Sequence, residues 1–586
     1  MTTTDSAGSS TSAPWMFRPR RRRTALAVLP LRRARPDSVQ AALEPLIASH
    51  RTAYPRADLH ELRRAYAVAE RMHRGQPRKS GAPYITHPLA VSMILAAMGM
   101  DTTTLVAALL HDTVEDTAYT LGEVRADFGD EVAVLVDGVT KLDGENWGDR
   151  AEAETFRKIV LAAAADLRVL VIKLADRLHN LRTLGFQPPE KRERIAKASL
   201  ELLVPFAERL GIYVLKREMD DLAFAARHPE AHAATGTAVG SALRRADVTF
   251  GPALGRLRQA LAEHRVKAEV TLRPRHLYAI YQDLGGTPGT LRPSEAARIL
   301  VLVDGDDQEC YIALGAVHSV LHPIAGRVKD FIALPKFNLY QSLHTVVIGP
   351  EGDFLDVIIR NRAMHPVAEL GIIAHIRAAG DAAATVDAVA GRRDLGWLRQ
   401  LLTWQSNAPS ADFLDGLRTD LATGHVAVFS SSGDVVALPA GATAIDFAYA
   451  LCPETGDRCI GAVINGRLAA LSAEVRSGNV VEILTAPDAG PSESWLDFAT
   501  TAQTRVHIQH WLARRRADEA ADTGRRDFAV TLAGHGIDLL AAEAQGESLA
   551  IARDLGYLEI DEMYAAMDGG SLDRDHVLVR FTESSP

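Results

Sequence analysis

Cysteine is nearly missing: a chain of 586 residues holds three, Cys310, Cys452 and Cys459, and no CxxC pair. Neither a disulfide framework nor a cysteine-rich zinc site is available, which suits a reducing cytoplasm. No apolar run reaches the roughly 20 residues that cross a bilayer, and the short "TALAVLPL" lies between "RPRRRR" and "RRARP". A cytoplasmic protein without a membrane segment is expected. An excess of positive charge is missing too: the formal net charge is −9, so any nucleic-acid contact must be local.

What is present divides into several domains, because one core does not serve a chain of this length. Residues 1–38 mix Ser, Thr, Gly and Pro with an arginine run and read as a disordered tail, an RNA-touching arm being the alternative. Residues 39–225 are Ala- and Leu-rich with helical apolar spacing, as in "LRRAYAVAERMHR" and "TFRKIVLAAAADLRVLVIKLADRLHNLRTL", which predicts an all-α domain. After the Gly- and Ala-rich "ATGTAVGSALRRADVTFG", the runs "EVTLR", "ARILVLV", "TVVIG" and "LDVIIR" alternate with helical stretches. They predict a mixed α/β domain over residues 226–380. A linker or helical connector follows over 381–422. Residues 423–487 show alternating strands with Ser-Gly-Asp, Asn-Gly and Ser-Gly turns, a compact β-rich module. Residues 488–586 read as helical.

One stretch sets the chemistry. In "LLHDTVEDT", His111, Asp112, Glu115 and Asp116 follow directly on the apolar "TLVAALL". Residues four apart share a helix face, so these four groups should project as one cluster. His87 in "GAPYITHPLAVSMIL" and Asp176 in "VLVIKLADRLHNLRTL" also stand in apolar helical sequence. Bare carboxylates in such settings are strongly unfavourable unless paired or bound to a cation. Two imidazoles and two carboxylates without thiolate suit Mn2+ or Fe2+, with Zn2+ a third candidate. Such an ion acidifies a bound water and polarises a phosphoryl oxygen. Glu115 and Asp116 then stand ready to position or deprotonate that water. Phosphate-ester hydrolysis fits best.

"HRGQPRKSGAPYITHPLAVS", "AALLHDTVEDT", "LVDGVTKL" and "VLVIKLADRLHNLRTL" closely resemble the HD-type hydrolase domain of the RelA/SpoT homologues, enzymes of the alarmone (p)ppGpp. The resemblance implies Mn2+-dependent removal of the 3′-pyrophosphate, giving GDP or GTP plus pyrophosphate, within the stringent response. Carried over by position, His87, His111, Asp112 and Asp176 correspond to metal ligands, and Glu115 with Asp116 to the pair that handles water. Arg78, Lys79, Ser80, Asn180 and Thr183 correspond to substrate contacts. An anionic nucleotide independently calls for cations near the metal, and Arg78 and Lys79 stand just ahead of the first ligand.

"LRPRHLYAIYQDL", "GAVHSVLHPIAGRVKDFIALPKFNLYQSLHTVVIGPEG" and "LDVIIRNRAMHPVAELGIIAHIRAAG" resemble the family's synthetase domain, with a nucleotidyltransferase-like α/β fold. That domain moves pyrophosphate from ATP to the 3′-hydroxyl of GDP or GTP. Arg273, Arg275, His276, Arg327, Lys329, Lys336 and His344 keep a positive pocket, and Tyr340 offers a ring for guanine. The expected Mg2+ carboxylates are altered: Pro293 stands for an Asp, and Asp356 for a Glu one methylene longer. Asp283 replaces a Lys, Ala279 a Ser, Arg275 a Lys, Ile358 a Gln and Leu339 a Gly. Losses of this kind cost on the order of 1 to 4 kcal/mol each in transition-state stabilisation, so a pseudo-synthetase is expected. The basic "GRVKDFI" carries the same bias, since the family's hydrolase-competent members have a basic RxKD there.

"VAVFSSSGDVVALPAGATAIDFAYAL" through "GNVVEILTA" resembles a TGS domain of β-grasp fold, which implies ribosome and tRNA contact. Cys452 and Asp457 stand where that pattern has histidines, and an Asp repels a phosphate-rich RNA end. "WLDFATTAQTRVHIQHWLARRR" resembles the start of the helical region that follows. The zinc-finger and ACT domains of long homologues are not expected. The leading expectation is a (p)ppGpp 3′-pyrophosphohydrolase. The alternatives are a bifunctional hydrolase/synthetase with weak synthesis and a ribosome- or tRNA-binding regulator.

Overall fold

The computed structural model describes residues 39–140, 158, 162–163, 165–286, 289–336, 338–379 and 425–584. The expected tail over 1–38 and connector over 381–422 lie outside these residues, as do the end of "LVDGVTKL" and most of "TFRKIVLAAAA". The chain forms two compact units, Met1–Ala422 and Thr423–Pro586. Among the described residues no helix is long and apolar enough to cross a membrane.

The first unit opens with helices α1 (Val39–Ala53), α2 (His60–Met72), α3 (Thr86–Ala97), α4 (Thr102–Leu110), α5 (Thr113–Asp116), α6 (Leu121–Phe128), α7 (Asp130–Val139) and α8 (Arg168–Arg182). Asp101 starts α4 by accepting the Thr104 N–H at 2.7 Å, the usual service of a short acid at an N-cap. From there Leu105 to Leu110 are all buried, and α4 packs against α2, α3, α7 and α8. The periodic pattern carries a helix straight through "LLHDTVEDT", but the structure breaks it at His111 and Asp112 and resumes with α5. The fourfold offset partly survives the break, because the Asp116 N–H still bonds the Asp112 carbonyl at 2.8 Å.

The long apolar pattern leading into α8 also breaks. Asp166 lies outside the helix, and its carboxylate accepts the Arg168 N–H at 2.9 Å. The Arg168 guanidinium is buried and meets Asp166 at 2.6 Å, Glu131 of α7 at 2.7 Å and Asp101 at 3.6 Å. One cation therefore registers the N-termini of three helices, two of which lead toward the candidate ligands.

Helices α9 (Pro189–Ala198), α10 (Val204–Arg209) and α11 (Tyr213–Arg227) lead to α12 (Pro229–Glu263). The passage "ATGTAVGSALRRADVTFG" lies inside α12, a helix of 35 residues. Its glycines are tolerated because Thr235, Val239, Ala242, Ala246 and Phe250 recur at helical spacing and are buried, so packing outweighs local propensity. Strands β1 (Ala268–Pro274), β2 (Ala297–Val303), β3 (Lys329–Asp330), β4 (Leu343–Ile348) and β5 (Phe354–Asn361) form one sheet in the order β1-β2-β5-β4-β3. Only β2 and β5 pair in parallel. Helices α13 (Leu277–Asp283), α14 (Pro293–Ala296), α15 (Asp307–Val320), α16 (Met364–Leu370) and α17 (Ile372–Ala379) complete the domain. The helical and mixed domains meet closely: the Ile372 N–H bonds the Leu210 carbonyl at 2.9 Å. Gly371 adopts φ +55° there, and a Cβ would overlap the Leu210 and Gly211 backbone.

In the second unit, β6 (His425–Ser430), β7 (Val435–Pro439), β8 (Cys459–Ile464), β9 (Arg467–Ala469) and β10 (Val480–Thr485) make a mixed sheet ordered β7-β6-β10-β8-β9. Asn465 and Gly466 both have positive φ in the β8–β9 turn, as a two-residue Asn-Gly hairpin requires. Helix α18 (Ala444–Leu451) packs on this sheet, followed by α19 (Pro453–Asp457) and α20 (Ala502–Gly534). Asp446 in α18 is 1% exposed and accepts from the backbone and hydroxyl of both Thr443 and Thr501, at 2.8 to 3.0 Å. That carboxylate ties the β-rich module to α20. Further helices run to Ser584. All three cysteines are free.

Replacing Arg168 by Met leaves the Asp101 and Asp166 carboxylates without their shared cation. Denaturant unfolding of the Arg168→Met chain should show a loss of about 2 to 4 kcal/mol; an unchanged midpoint would show that the cluster does not hold the helices in register.

Candidate functional site

Four elements bring the predicted ligands together. His87 stands in the first turn of α3, His111 caps the end of α4, Asp112 caps the start of α5, and Asp176 lies midway along α8. His87 and His111 are 3% exposed and Asp176 6%. Ligand atoms of His87, His111 and Asp176 lie within 4.8 Å of one another. His87 Nε2 is 3.2 Å from Asp176 Oδ1 and 3.4 Å from Asp112 Oδ2, and His111 Nε2 is 3.1 Å from Asp112 Oδ1. Three donors at this mutual spacing, with the Asp112 carboxylate beside both imidazoles, are consistent with a divalent ion.

Hydrogen bonds fix which nitrogen each imidazole presents. His111 Nδ1 lies 2.8 Å from the Ala108 carbonyl, which only accepts, so Nδ1 carries a proton and Nε2 is the nitrogen left to face the cluster. Buried His111 Nε2 has the Asp112 carboxylate 3.1 Å away but no partner in hydrogen-bond geometry, an arrangement that suits a cation between them. His87 Nδ1 is 2.7 Å from His179 Nδ1, and Arg78 Nη1, a donor only, lies 3.5 Å from that same His179 nitrogen. His179 Nδ1 is therefore the acceptor and His87 Nδ1 the donor, which leaves His87 Nε2 as the nitrogen that faces the carboxylates. Burial, the His87 ring and the Arg78 guanidinium hold His179 down to about 3, so it stays neutral.

The electrostatics ask for positive charge. Burial pushes the Asp112 and Asp176 carboxyls up. His111 and His87 beside Asp112, and Lys173 with His87 beside Asp176, outweigh that and hold both well below the usual carboxylate range. Burial depresses His111, but the adjoining Asp112 carboxylate and Asp176 pull it up to about 9. The ring takes a proton where the cluster lacks another cation. Lys173 Nζ sits 3.3 Å from Asp176 Oδ2, and Asn180 Nδ2 donates to Asp176 Oδ1 at 2.7 Å.

The remaining predicted residues surround this centre. Asp116 and Glu115 are exposed on α5; the Tyr84 hydroxyl lies 2.5 Å from Asp116 Oδ2 and 2.9 Å from Asp112 Oδ2. Burial and the two carboxylates keep that phenol protonated. Arg78 reaches Asn180 Oδ1 at 3.4 Å. Lys79 and Ser80 are exposed in the same loop, and the Thr183 hydroxyl donates to the His179 carbonyl at 3.1 Å. Sequence reasoning missed Tyr84, Lys173 and His179. The last two lie three residues either side of Asp176 on one helix, a spacing that puts them on its face.

The synthetase-like residues meet other partners. Arg273 grips Glu369 through two bonds of 2.5 Å, and Arg217 and Arg360 reach the same carboxylate at 2.7 Å. Arg275 pairs with Asp283, and Asp356 with Arg298 at 3.1 Å. Pro293 is the first residue of α14. His276 Nδ1 lies 3.5 Å from Asp221. Arg327 and Lys329 are exposed, while Lys336 sits over the Phe331 and Tyr340 rings at 4.8 and 5.1 Å. Tyr340 is 8% exposed, edge-on to Tyr213 and Phe331, with its hydroxyl 2.8 Å from His344 Nε2. Burial, with Lys336 and Arg298 nearby, holds His344 down to about 3. The ring expected to stack on guanine is thus packed inside the domain. Leu339 adopts φ +60°, the left-handed backbone that the glycine of the family pattern would adopt without strain. In the second unit, Asp457 accepts the Tyr449 hydroxyl at 2.9 Å, and the Tyr449 ring stacks on His507. Cys452 caps α19 through its sulfur.

Calorimetric titration with Mn2+ should show His111→Ala or Asp176→Ala weakening affinity by about 100-fold or more, while Glu115→Gln stays within about threefold. Equal losses for all three would place the ion elsewhere.

Comparison with known proteins gives three matches to domain descriptions along the chain: "HD domain" at residues 65–213, "Region found in RelA / SpoT proteins" at 275–381 and "TGS domain" at 426–485. The chain is 46% identical over 564 residues to "Bifunctional (p)ppGpp synthase/hydrolase RelA" of Mycobacterium tuberculosis, covering 93% of this chain and 75% of that one. It is 45% identical to "Probable GTP pyrophosphokinase" of Mycobacterium leprae, covering 93% and 70%. To "Bifunctional (p)ppGpp synthase/hydrolase SpoT" of Escherichia coli it is 41% identical, covering 82% and 69%. With these identities running through all three matched regions, the chain belongs to the RelA/SpoT family.

Proposed function

We propose that the chain is a metal-dependent enzyme of (p)ppGpp metabolism and that its helical domain removes the 3′-pyrophosphate, releasing GDP or GTP and pyrophosphate. The observation that carries this reading is the convergence of His87, His111, Asp112 and Asp176 inside otherwise apolar helices. Bound there, Mn2+ supplies an acidified water and an electrophilic partner for a phosphoryl oxygen.

The chain's own residues do the rest. His87 and His111 present Nε2 because His179 and the Ala108 carbonyl hold their other nitrogens. Asp116 and Glu115, on the exposed turn beside the ligands, take the proton of the attacking water. A proton then passes to the 3′-oxygen as its bond to phosphorus breaks. Arg78 and Lys79 bind the pyrophosphate oxygens as it departs. Ser80 and Thr183 offer hydroxyls to the substrate, and Asn180 steadies Asp176 while facing Arg78.

The relatives' names favour a second reading, that the same chain also makes (p)ppGpp from ATP and GDP or GTP, and they support that bifunctional reading better than hydrolysis alone. The geometry of the sheet domain weighs the other way. Pro293 offers no carboxylate, Asp356 and Asp283 are spent on Arg298 and Arg275, and Tyr340 is buried. Hydrolysis is the reaction the site supports best; synthesis is the one its relatives add. The geometry does not favour a ribosome or tRNA contact through the TGS region, because the Asp457 carboxylate stands there and accepts the Tyr449 hydroxyl.

Incubating the pure chain with ppGpp and Mn2+, and separately with ATP, GDP and Mg2+, then resolving the nucleotides, tests both readings. GDP is expected from the first mixture, abolished by Asp112→Ala and largely kept by Tyr340→Ala. No GDP from the first mixture would overturn the hydrolase reading, and ppGpp from the second would establish the bifunctional one.

A further inference from the structure

The loop Arg74–Tyr84, between α2 and α3, holds the α5 turn at two points. Gln76 Nε2 donates to the Asp116 carbonyl at 3.1 Å, and Gln76 Oε1 is itself held by His73 Nδ1 at 2.7 Å. Tyr84 reaches the Asp116 side chain, its hydroxyl 2.5 Å from Oδ2, and lies 2.9 Å from Asp112 Oδ2 on the other side. The Tyr84 ring is fixed independently of that hydroxyl. It stacks on His73 with centroids 4.4 Å apart and planes 14° apart, and stands edge-on to His87.

A phenol has one proton to give, and here two carboxylate oxygens face it. The shorter contact is to Asp116. A cation on His87, His111, Asp112 and Asp176 draws electron density from Asp112 and makes it the weaker acceptor, which leaves the proton to Asp116. Asp116 is exposed, and a surface carboxylate free to rotate gives up conformational entropy each time it serves as base. Tyr84 sets the rotamer of that carboxylate in advance, and Gln76 holds the backbone that carries it.

We infer that Tyr84 is a positioning residue for hydrolysis, holding the Asp116 carboxylate beside the ligand Asp112 through its hydroxyl. The inference rests on the hydrolase reading and adds to it a residue that acts through Asp116.

The test is a double-mutant cycle on the full chain with ppGpp and Mn2+. Tyr84→Phe keeps the ring and its stacking and removes only the hydroxyl. It should lower kcat by about 10- to 100-fold, leaving KM and the calorimetric Mn2+ affinity within about threefold. In an Asp116→Asn background, followed in single turnovers with enzyme in excess, the same change should cost less than about twofold, because the group it acts through is already gone. Gln76→Ala should lower kcat in the same non-additive way. Equal losses in both backgrounds would overturn the inference, as would an Mn2+ affinity falling in step with kcat, which places the action on Asp112. Full activity of Tyr84→Phe beside an active wild type overturns the positioning role alone. A wild type that takes up Mn2+ and releases no GDP overturns the hydrolase reading and this role with it.

Discussion

Two imidazoles and two carboxylates, walled by apolar helices, cannot remain there without added positive charge. That constraint organises the first unit. In the absence of a metal the deficit is met piecemeal, by a proton on His111, by Lys173 against Asp176 and by the Asn180 amide. A divalent ion would meet it at once in place of that proton, and the Nε2 atoms of His87 and His111 already face the carboxylates. His111 Nε2, without a partner in hydrogen-bond geometry, is the clearest mark of that arrangement.

The fold around the centre keeps three short pieces of chain in register. His87, the adjoining His111 and Asp112, and Asp176 stand on different helices or their junction, so a shift of one helix by a single turn, about 5.4 Å, would carry a candidate ligand away. Arg168 pins the starts of α4 and α8 to α7, and the loop before α3 clamps the α5 turn through Gln76 and Tyr84. His111 and Asp112 keep right-handed helical backbone at the junction of α4 and α5, and from there Asp112 meets both His87 and His111.

Much of this was legible in the sequence. Polar groups at the end of an apolar helix are costly enough to announce a site, and "ARILVLV" coincides with β2 because a short, continuous apolar run with β-branched residues at every second position, buried on both faces, has few other uses. Asn465 and Gly466 likewise announced their hairpin. What stayed hidden depends on tertiary contact. The glycines of α12 suggest an interruption until Val239, Ala242, Ala246 and Phe250 are seen to be buried. His179 and Tyr84 read as an ordinary helix histidine and loop tyrosine until their partners appear. In the sheet domain, substituted positions could be named, but not that Arg273, Arg217 and Arg360 converge on Glu369, a residue with no mark in its own sequence context.

The sheet domain holds its charges largely for itself, carboxylate against guanidinium, while the helical domain gathers two imidazoles and two carboxylates in its apolar interior. The account therefore places the reaction at the buried cluster and makes it depend on one divalent ion. Stripping the chain with a chelator and adding Mn2+ back, while counting bound metal and ppGpp turnover together, tests this most directly. Turnover should vanish on stripping and return in proportion to occupancy, reaching its full value at one Mn2+ per chain; turnover that survives complete removal of metal would contradict the account.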